Sequence, residues 1–175
     1  YWRKDIFPNY KANRKKYREQ SGLDWNIIFD TINLLKQEID DNLPYNLIEI
    51  EGAEADDIIA TYVQHIKQPN DKVLIISADH DFMQLHKYPN VKQWSSTKND
   101  YVVCKIDPKD KLFEHIVKGD KGDGIPNVLS DDDSIVEGRR QRPVHYKKLE
   151  NWKKDPINMP QDSEFIKNFE RNQTL

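Results

Sequence analysis

The sequence is poor in cysteine, methionine and glycine, with one, two and six of these residues among 175. Because Cys104 is alone, no intrachain disulfide can form, which is typical of proteins kept in a reducing compartment. No apolar run approaches the ~20 residues of a membrane-spanning helix, and no signal-peptide pattern is found. We therefore expect a cytoplasmic protein that has no membrane partner.

Net charge is also small, at −3, but the charges are unevenly distributed. Residues 1–20 hold seven basic residues against two acidic ones, so the rest of the chain is acidic. The basic residues alternate with aromatic ones, among them Trp2, Tyr10 and Tyr17, a combination that suits a single-stranded nucleic acid. A solvated basic helix is the alternative for this segment.

Three short acidic clusters lie in the remaining chain: Glu54–Asp57, Asp79–Asp81 and Asp120–Asp123. Carboxylates are the charged ligands that hard cations such as Mg²⁺ take. Each cluster alone also has a simpler explanation, as helix capping, as a sugar- or phosphate-transfer motif, or as turn residues. Their joint presence favours metal ions, and two metal ions ~3.5–4 Å apart are typical of phosphodiester cleavage.

The pattern around the first two clusters predicts a strand–helix–strand unit. Residues 45–50 are predicted as a strand, 54–67 as a helix, and the apolar run 72–78 as a strand buried on both faces. Such a unit has a parallel strand pair, and ligands bind beyond the carboxyl ends of its strands. Glu54–Asp57 and Asp79–Asp81 should therefore meet at one edge of the sheet.

Further elements follow from capping and periodicity. Asp24 is predicted to cap a helix to about Asp40, whose apolar positions at i, i+3 and i+4 spacing predict packing against the core. Asp107 and Pro108 are predicted to start a helix that ends near Lys118. The remaining predicted elements are a hairpin of strands 91–95 and 101–105 and helices at 82–86 and 163–171.

A glycine-punctuated loop, residues 119–126, follows that helix and contains the third acidic cluster. A helix, a tight turn and a new element resemble a helix-hairpin-helix connection. Such a connection can direct N–H groups at a phosphate or carbonyls at a monovalent cation. An ordinary helix-ending loop is the alternative.

Taken together, four motifs resemble those of the structure-specific 5′ nucleases, a family of flap endonucleases and 5′-nuclease domains of bacterial DNA polymerases I. Residues 81–95 are most similar to the T-even phage ribonuclease H branch, and the similarity covers about residues 1–128. The motifs are Tyr10-Lys-Ala-Asn-Arg14, Glu54-Ala-Asp-Asp57, Ser77-Ala-Asp-His-Asp-Phe-Met-Gln-Leu85 and Gly119-Asp-Lys-Gly-Asp-Gly-Ile-Pro-Asn-Val128.

The resemblance implies an α/β, PIN-like 5′-nuclease fold with a parallel central sheet, a helical arch and a helix-hairpin-helix-type DNA-binding element. Residues 1–128 would form the nuclease core, and residues 129–175 a partly mobile C-terminal extension. Within the core, residues 1–20 would be the basic arch segment, 45–106 the sheet part and 107–128 the DNA-binding element. The family places two further metal-binding aspartates before the arch and has further helices at its C-terminus, so we expect a fragment truncated at both ends.

By matched position, the resemblance implies two Mg²⁺ (or Mn²⁺) ions and a K⁺ at the glycine loop. The first metal would be held by Glu54, Asp56, Asp57 and Asp79, and the second by Asp81, Asp120 and Asp123. The catalytic residues would be Asp79, Asp81 and two cations on the scissile phosphate, Lys11 and Arg14. Contacts with nucleic acid would come from Arg3, Lys4, Tyr10, Lys11, Arg14, Lys15, Gly122, Gly124 and Ile125.

The implied function is a Mg²⁺-dependent 5′ nuclease, a 5′–3′ exonuclease and flap endonuclease that also removes RNA primers, as ribonuclease H does, in DNA replication or repair. Its partners would be DNA and RNA–DNA hybrids with 5′ ends or flaps, and a single-strand-binding protein or sliding clamp, in the host cytoplasm if it is phage-encoded. A noncatalytic nucleic-acid-binding module is the main alternative, since two expected aspartates are missing. A metal-dependent phosphatase is another, but it would have no use for the basic segment.

Overall fold

The computed structural model describes residues 2–175 and contains one small mixed sheet. Strand β1 (Val73–Ile76) pairs in parallel with β2 (Val91–Ser95), which pairs antiparallel with β3 (Asp100–Tyr101). Tyr1, the first residue of the predicted arch segment, and the side chain of Ile66 lie outside the described part. The predicted α/β class is confirmed, but the sheet is mixed rather than wholly parallel.

Residues 2–175 also form seven α-helices, none of which has the length and hydrophobicity of a membrane span. They are α1 (Trp2–Ile6), α2 (Ala12–Gln20), α3 (Trp25–Asn42), α4 (Ala55–Thr61), α5 (Pro108–Lys118), α6 (Tyr146–Lys154) and α7 (Ser163–Thr174). Helix α4 continues as a π-helical turn, Tyr62–Ile66, and two 3₁₀ helices lie at Asp81–Lys87 and Pro156–Asn158.

The predicted helix starts are confirmed by their caps. The Asp24 carboxylate accepts hydrogen bonds from the backbone N–H groups of Asn26 and Ile27 at the start of α3. Asp107 does the same for Lys109 at the start of α5, where Pro108 takes the first position. Local chemistry therefore determines where these helices begin, independently of tertiary packing.

The predicted strand at residues 45–50 is wrong, because this segment has no regular secondary structure, pairs with no strand and is exposed throughout. The parallel pair is instead β1 with β2, and the connection between them carries the 3₁₀ helix Asp81–Lys87. A strand needs a partner for its backbone groups, and the 45–50 sequence pattern could not show whether one is present.

Two predictions of burial are also wrong. Helix α3 forms as expected, yet it has no buried residue, and its apolar side chains, such as Ile27 and Leu35, are exposed. In β1 only Ile75 is buried, while Leu74 and Ile76 on the opposite face are exposed, Ile76 by 69%. Periodicity identifies side chains that share a face, but it does not show whether another element covers that face.

Two larger hydrophobic clusters include residues close in sequence to the acidic residues, and a third, smaller cluster consists of Phe7, Tyr10 and Ile125. The first joins the sheet to α4 and the 3₁₀ helix, and consists of Val63, Ile75, Phe82, Leu85 and Val91. The second joins α5 to α6 and α7, and consists of Val117, Val128, Leu149, Trp152 and Phe165. Residues after 128 therefore share a core with the helix that leads into the glycine loop.

Helix α7 also holds the glycine loop through polar side chains. Asn172 donates to the carbonyls of Ile116 and Pro126 at 2.8 and 2.9 Å. The buried Arg171 pairs with Asp132, and its guanidinium lies 4.8 Å from the centre of the Phe7 ring. The C-terminal helix thus supports both the loop and the basic N-terminal segment.

The loop does not lead directly into a second helix. Residues 126–145, all described, form turns and irregular segments, and the next helix is α6 at Tyr146. The helix-hairpin-helix-type element predicted at 107–128 therefore comprises one helix and a hairpin. Its support comes from α6 and α7 rather than from a paired second helix.

An ion pair attaches α1 to the start of α4. The Arg3 guanidinium donates to both carboxylate oxygens of Asp57, at 2.8 and 2.6 Å, and Arg3 is buried. These hydrogen bonds, with one from the backbone N–H of Glu54, hold the pKa of Asp57 below its usual range. Arg3 also donates to the carbonyl of Leu175, so the pair links both ends of the described chain.

If residues after 128 belong to the core around α5, Leu149→Ala should lower the free energy of unfolding by about 2–5 kcal/mol, because Leu149 is fully buried. Tyr146→Ala on the same helix is the control, since Tyr146 is 69% exposed, and should change it by about 0.5 kcal/mol or less. Urea denaturation followed by tryptophan fluorescence measures both. Equal effects in the two variants would contradict this packing.

Asp57→Asn should destabilise the protein by about 1–3 kcal/mol at pH 7, because Arg3 loses its charged partner. Since the folded pKa of Asp57 is depressed, its contribution is fully present above the unfolded value of about 3.9 and is lost as the pH falls through the folded pKa. The difference from the parent should therefore shrink below about pH 4. Asp30→Asn, on the exposed surface of α3, should show no such trend in denaturation measured across pH.

Candidate metal centre and nucleic-acid interface

One cleft gathers the three acidic clusters. Its wall includes six of the seven acids predicted to bind metal, both predicted phosphate-binding cations and two histidines: Glu54, Asp56, Asp79, Asp81, Asp120, Asp123, Lys11, Arg14, His80 and His115. Asp57 does not line this cleft and instead pairs with Arg3. The clusters meet although the strand at 45–50 is not formed, because α4 starts where β1 ends and α5 leads its loop to the same place.

The Asp79–Asp81 turn is held by a side chain from the neighbouring strand. Gln93 in β2 is 1% exposed and donates to the carbonyls of Ser77 and Asp79, at 2.8 and 2.6 Å. Within the turn, the N–H of Asp81 donates to the Asp79 carboxylate at 3.0 Å. The sequence analysis missed Gln93, although a polar residue at an inward position of a strand is the signal that identifies it.

The Asp120–Asp123 loop is closed by backbone hydrogen bonds between Asp120 and Ile125, at 2.9 and 2.7 Å. One Asp120 oxygen accepts from the N–H groups of Gly122 and Asp123, at 2.6 and 3.1 Å. Gly119 has a φ of 66°, and a Cβ there would lie 2.4 Å from the Ile125 carbonyl oxygen. The closure of the loop therefore requires glycine at this position.

Asp81, His115 and Asp120 form the tightest group of metal-ligating atoms among the described residues. One ligand atom from each lies within 4.8 Å of the others. Burial raises the pKa of the Asp81 carboxyl; the neighbouring His115 opposes this, and the charges of Asp79, Asp120 and Asp56 add to it. Negative charge is thus crowded at Asp81, and a divalent cation would relieve it.

On the other side of the cleft, cations and a phenol engage Glu54 and Asp123. The Lys11 ammonium lies 2.5 Å from Glu54 and 3.5 Å from Asp123, while Arg14 donates to Asp123 at 2.8 Å. The Tyr10 hydroxyl lies 3.2 Å from Glu54 and 3.0 Å from Asp123, so its single hydrogen can be donated to either carboxylate. Burial and these negative charges raise the pKa of Tyr10, so that it remains a hydrogen-bond donor.

The backbone joins the basic segment to the loop as well. Lys11 has a φ of 55°, uncommon for a residue with a side chain, and its N–H donates to the Asp123 carbonyl at 2.7 Å. A Cβ on Gly124 would lie 3.0 Å from the Asn9 carbonyl oxygen. The close approach of the two segments fixes Lys11 beside the acidic residues.

The residues predicted to contact nucleic acid differ in their exposure to solvent. Arg3, Tyr10, Gly124 and Ile125 are buried and have partners within the protein. Four others are exposed: Lys4, Arg14, Lys15 and Gly122. Lys11 is largely covered by its contacts with the acids. The role of each in binding nucleic acid stays a prediction.

The predicted K⁺ at the glycine loop also stays a prediction. The loop carbonyls of Asp120, Lys121, Asp123 and Ile125 each accept a backbone hydrogen bond. A carbonyl oxygen has two lone pairs, so a monovalent cation would have to share these oxygens with the bonds that close the loop.

Known proteins of one family match this chain. The family model of the 5′-3′ exonuclease N-terminal resolvase-like domain matches residues 1–115. Ribonuclease H of Enterobacteria phage T4 is 42% identical over 144 residues, which cover 80% of this chain and 47% of the phage protein. Flap endonuclease Xni of Shewanella piezotolerans is 30% identical over 135 residues, which cover 73% of this chain and 49% of the enzyme. The chain thus spans about half the length of these relatives.

Solved structures share the fold at low sequence identity. The phage T5 D15 protein co-crystallised with metal ions matches with a TM-score of 0.70 and 21% identity, covering 98% of this chain and 68% of that one. A complex of the T5 D15 flap endonuclease with DNA and metal ions matches with a TM-score of 0.61 and 20% identity, over 98% of this chain and 70% of that one. The predicted PIN-like 5′-nuclease fold is therefore confirmed. Because the family model matches well over half of its residues, the chain belongs to the 5′-3′ exonuclease family and carries that family's N-terminal resolvase-like domain.

Proposed function

We propose that the chain supplies the catalytic cleft of a metal-dependent 5′ nuclease, a 5′–3′ exonuclease and flap endonuclease that uses Mg²⁺ or Mn²⁺. Its substrates would be 5′ ends and flaps of DNA and RNA–DNA hybrids, in replication or repair within the host cytoplasm. One observation carries the proposal: acids from three separate segments line one cleft together with Lys11 and Arg14. Capping or turn formation accounts for each cluster alone but not for their convergence.

The donor set fits divalent metal ions. Carboxylates from two different segments, Asp81 and Asp120, lie within reach of one ion, and Asp79, Glu54, Asp56 and Asp123 line the same cleft. Oxygen ligands of this kind suit Mg²⁺ and Mn²⁺. When bound, such ions lower the pKa of a coordinated water and offset the charge of the reacting phosphate. Gln93 and the loop hydrogen bonds hold the ligand-bearing turns in place for this role.

The cations at the rim suit a nucleic-acid backbone. The Arg14 side chain is 54% exposed even though its guanidinium contacts Asp123, so it can reach a phosphate from outside the cleft. Lys11 is held deeper, beside Glu54, where it can supply a point charge. We infer that Arg14 orients the phosphate and that Lys11 balances charge within the cleft.

The relatives support this assignment through their names and complexes. They include a ribonuclease H and a flap endonuclease, and one solved relative is a complex with DNA and metal ions. A single-strand-binding protein or sliding clamp as partner stays a prediction. The noncatalytic binding module gains no support from the structure of the cleft, because binding alone does not require crowded carboxylates.

Asp79→Asn should reduce cleavage of a 5′-flap DNA in Mg²⁺ by roughly 100-fold or more, because the change removes a charged oxygen ligand and leaves the shape of the turn. Binding of the same DNA should be little changed. Single-turnover cleavage and fluorescence anisotropy measure the two effects, with Asp30→Asn on α3 as a matched control of the same chemistry.

Metal titration separates the nuclease from a binding module. Cleavage should appear with Mg²⁺ or Mn²⁺ and disappear with EDTA. Binding without turnover in either metal, or full activity of Asp79→Asn, would contradict the proposal.

A further inference from the structure

We propose that His115 is a ligand of the metal centre through its ring Nε2, and that this nitrogen shifts the preference of the centre from Mg²⁺ toward Mn²⁺ and Zn²⁺. The inference deepens the proposed function, because it takes the cleft as a metal centre. It concerns a residue that the acidic motifs do not include, and its test measures metal binding without any nuclease assay.

The position of His115 follows from how α5 ends. His115 lies in the last turn of α5, and its carbonyl accepts the N–H of Gly119, after which the chain reverses into the loop. The reversal brings Asp120 back beside the ring, with 3.6 Å between His115 Nε2 and Asp120 Oδ2. Helix α5 also packs against the 3₁₀ helix that begins at Asp81, so the ring faces both carboxylates.

The spacing suits a shared ion better than a direct hydrogen bond. At 3.6 Å, the nitrogen and the Asp120 oxygen are farther apart than the ~2.7–3.2 Å of such a bond. Two ligands each ~2.0–2.2 Å from one metal ion are separated by roughly 2.8–4.4 Å. The ligand atoms of Asp81, His115 and Asp120 lie within 4.8 Å of one another, so small side-chain movements bring all three onto one ion.

The chemistry of imidazole then determines which metal ion binds more tightly when His115 is a ligand. Mg²⁺ strongly prefers oxygen ligands, whereas Mn²⁺ and especially Zn²⁺ also accept imidazole nitrogen. Two carboxylates and one imidazole therefore favour the transition metals more than carboxylates alone would. His80, between Asp79 and Asp81, lines the same cleft but has no atom in this three-residue group. It provides a matched control.

His115→Gln should weaken Zn²⁺ binding by about 10-fold or more, weaken Mn²⁺ binding by a smaller factor, and leave Mg²⁺ binding nearly unchanged. Glutamine keeps a polar side chain of similar length and offers an oxygen in place of the nitrogen. Calorimetric titration of the untagged protein with each metal alone measures the three affinities. His80→Gln should leave all three affinities as in the parent.

A second measurement uses the unaltered protein. Long-range ¹H–¹⁵N spectra of the histidine rings, recorded during Zn²⁺ titration, should show a ring nitrogen of His115 shifting with the first equivalent of metal. The inference would be overturned if His115→Gln weakened the binding of all three metals equally or did not weaken it at all. A shift of the ring nitrogen of His80 instead of His115 would also overturn it. A nuclease assay that failed in every metal would count against the proposed function but would leave these binding results to decide the role of His115.

Discussion

Repulsion among carboxylates is the constraint on which the rest of the structure depends. Six acids from three distant segments line one cleft, and burial with neighbouring charge raises the pKa of Asp81. The protein offsets part of this charge with its own cations, since Lys11 contacts Glu54 and Arg14 contacts Asp123. The same residues that balance the acids also carry the positive charge at the rim, so under the proposed function metal binding and phosphate binding would involve one set of contacts.

The two hydrophobic clusters make this convergence possible. One holds the turn after β1 against α4, and the other holds the glycine loop against α6 and α7. Two contacts attach the N-terminal segment to the elements of both clusters: the ion pair of Arg3 with Asp57 and the contact of Arg171 with Phe7. The cleft therefore lies where these packed units meet. The first unit contributes Glu54–Asp57 and Asp79–Asp81, the second contributes Asp120–Asp123, and the N-terminal segment contributes Lys11 and Arg14.

Local features of the structure could be predicted from the sequence more fully than tertiary features. Helix starts at Asp24 and Asp107 were predicted because capping is a local interaction. The resemblance correctly implied the fold. The predictions of a strand at residues 45–50 and of a buried α3 were wrong, because strand pairing and burial depend on neighbouring surfaces that periodicity does not identify. His115 and Gln93 were missed because their roles arise only when the chain reverses at Gly119 and when β2 pairs with β1.

If the proposed function is right, the acidic clusters build a single metal centre in the cleft. Crystals grown with Mn²⁺ and measured at the manganese absorption edge test it most directly, because anomalous scattering locates the ion without reference to activity. We expect a strong anomalous-difference peak within ligand distance, about 2.0–2.4 Å, of Asp81 and Asp120. Manganese held only outside the cleft, with Asp81 and Asp120 bound to none, would contradict it.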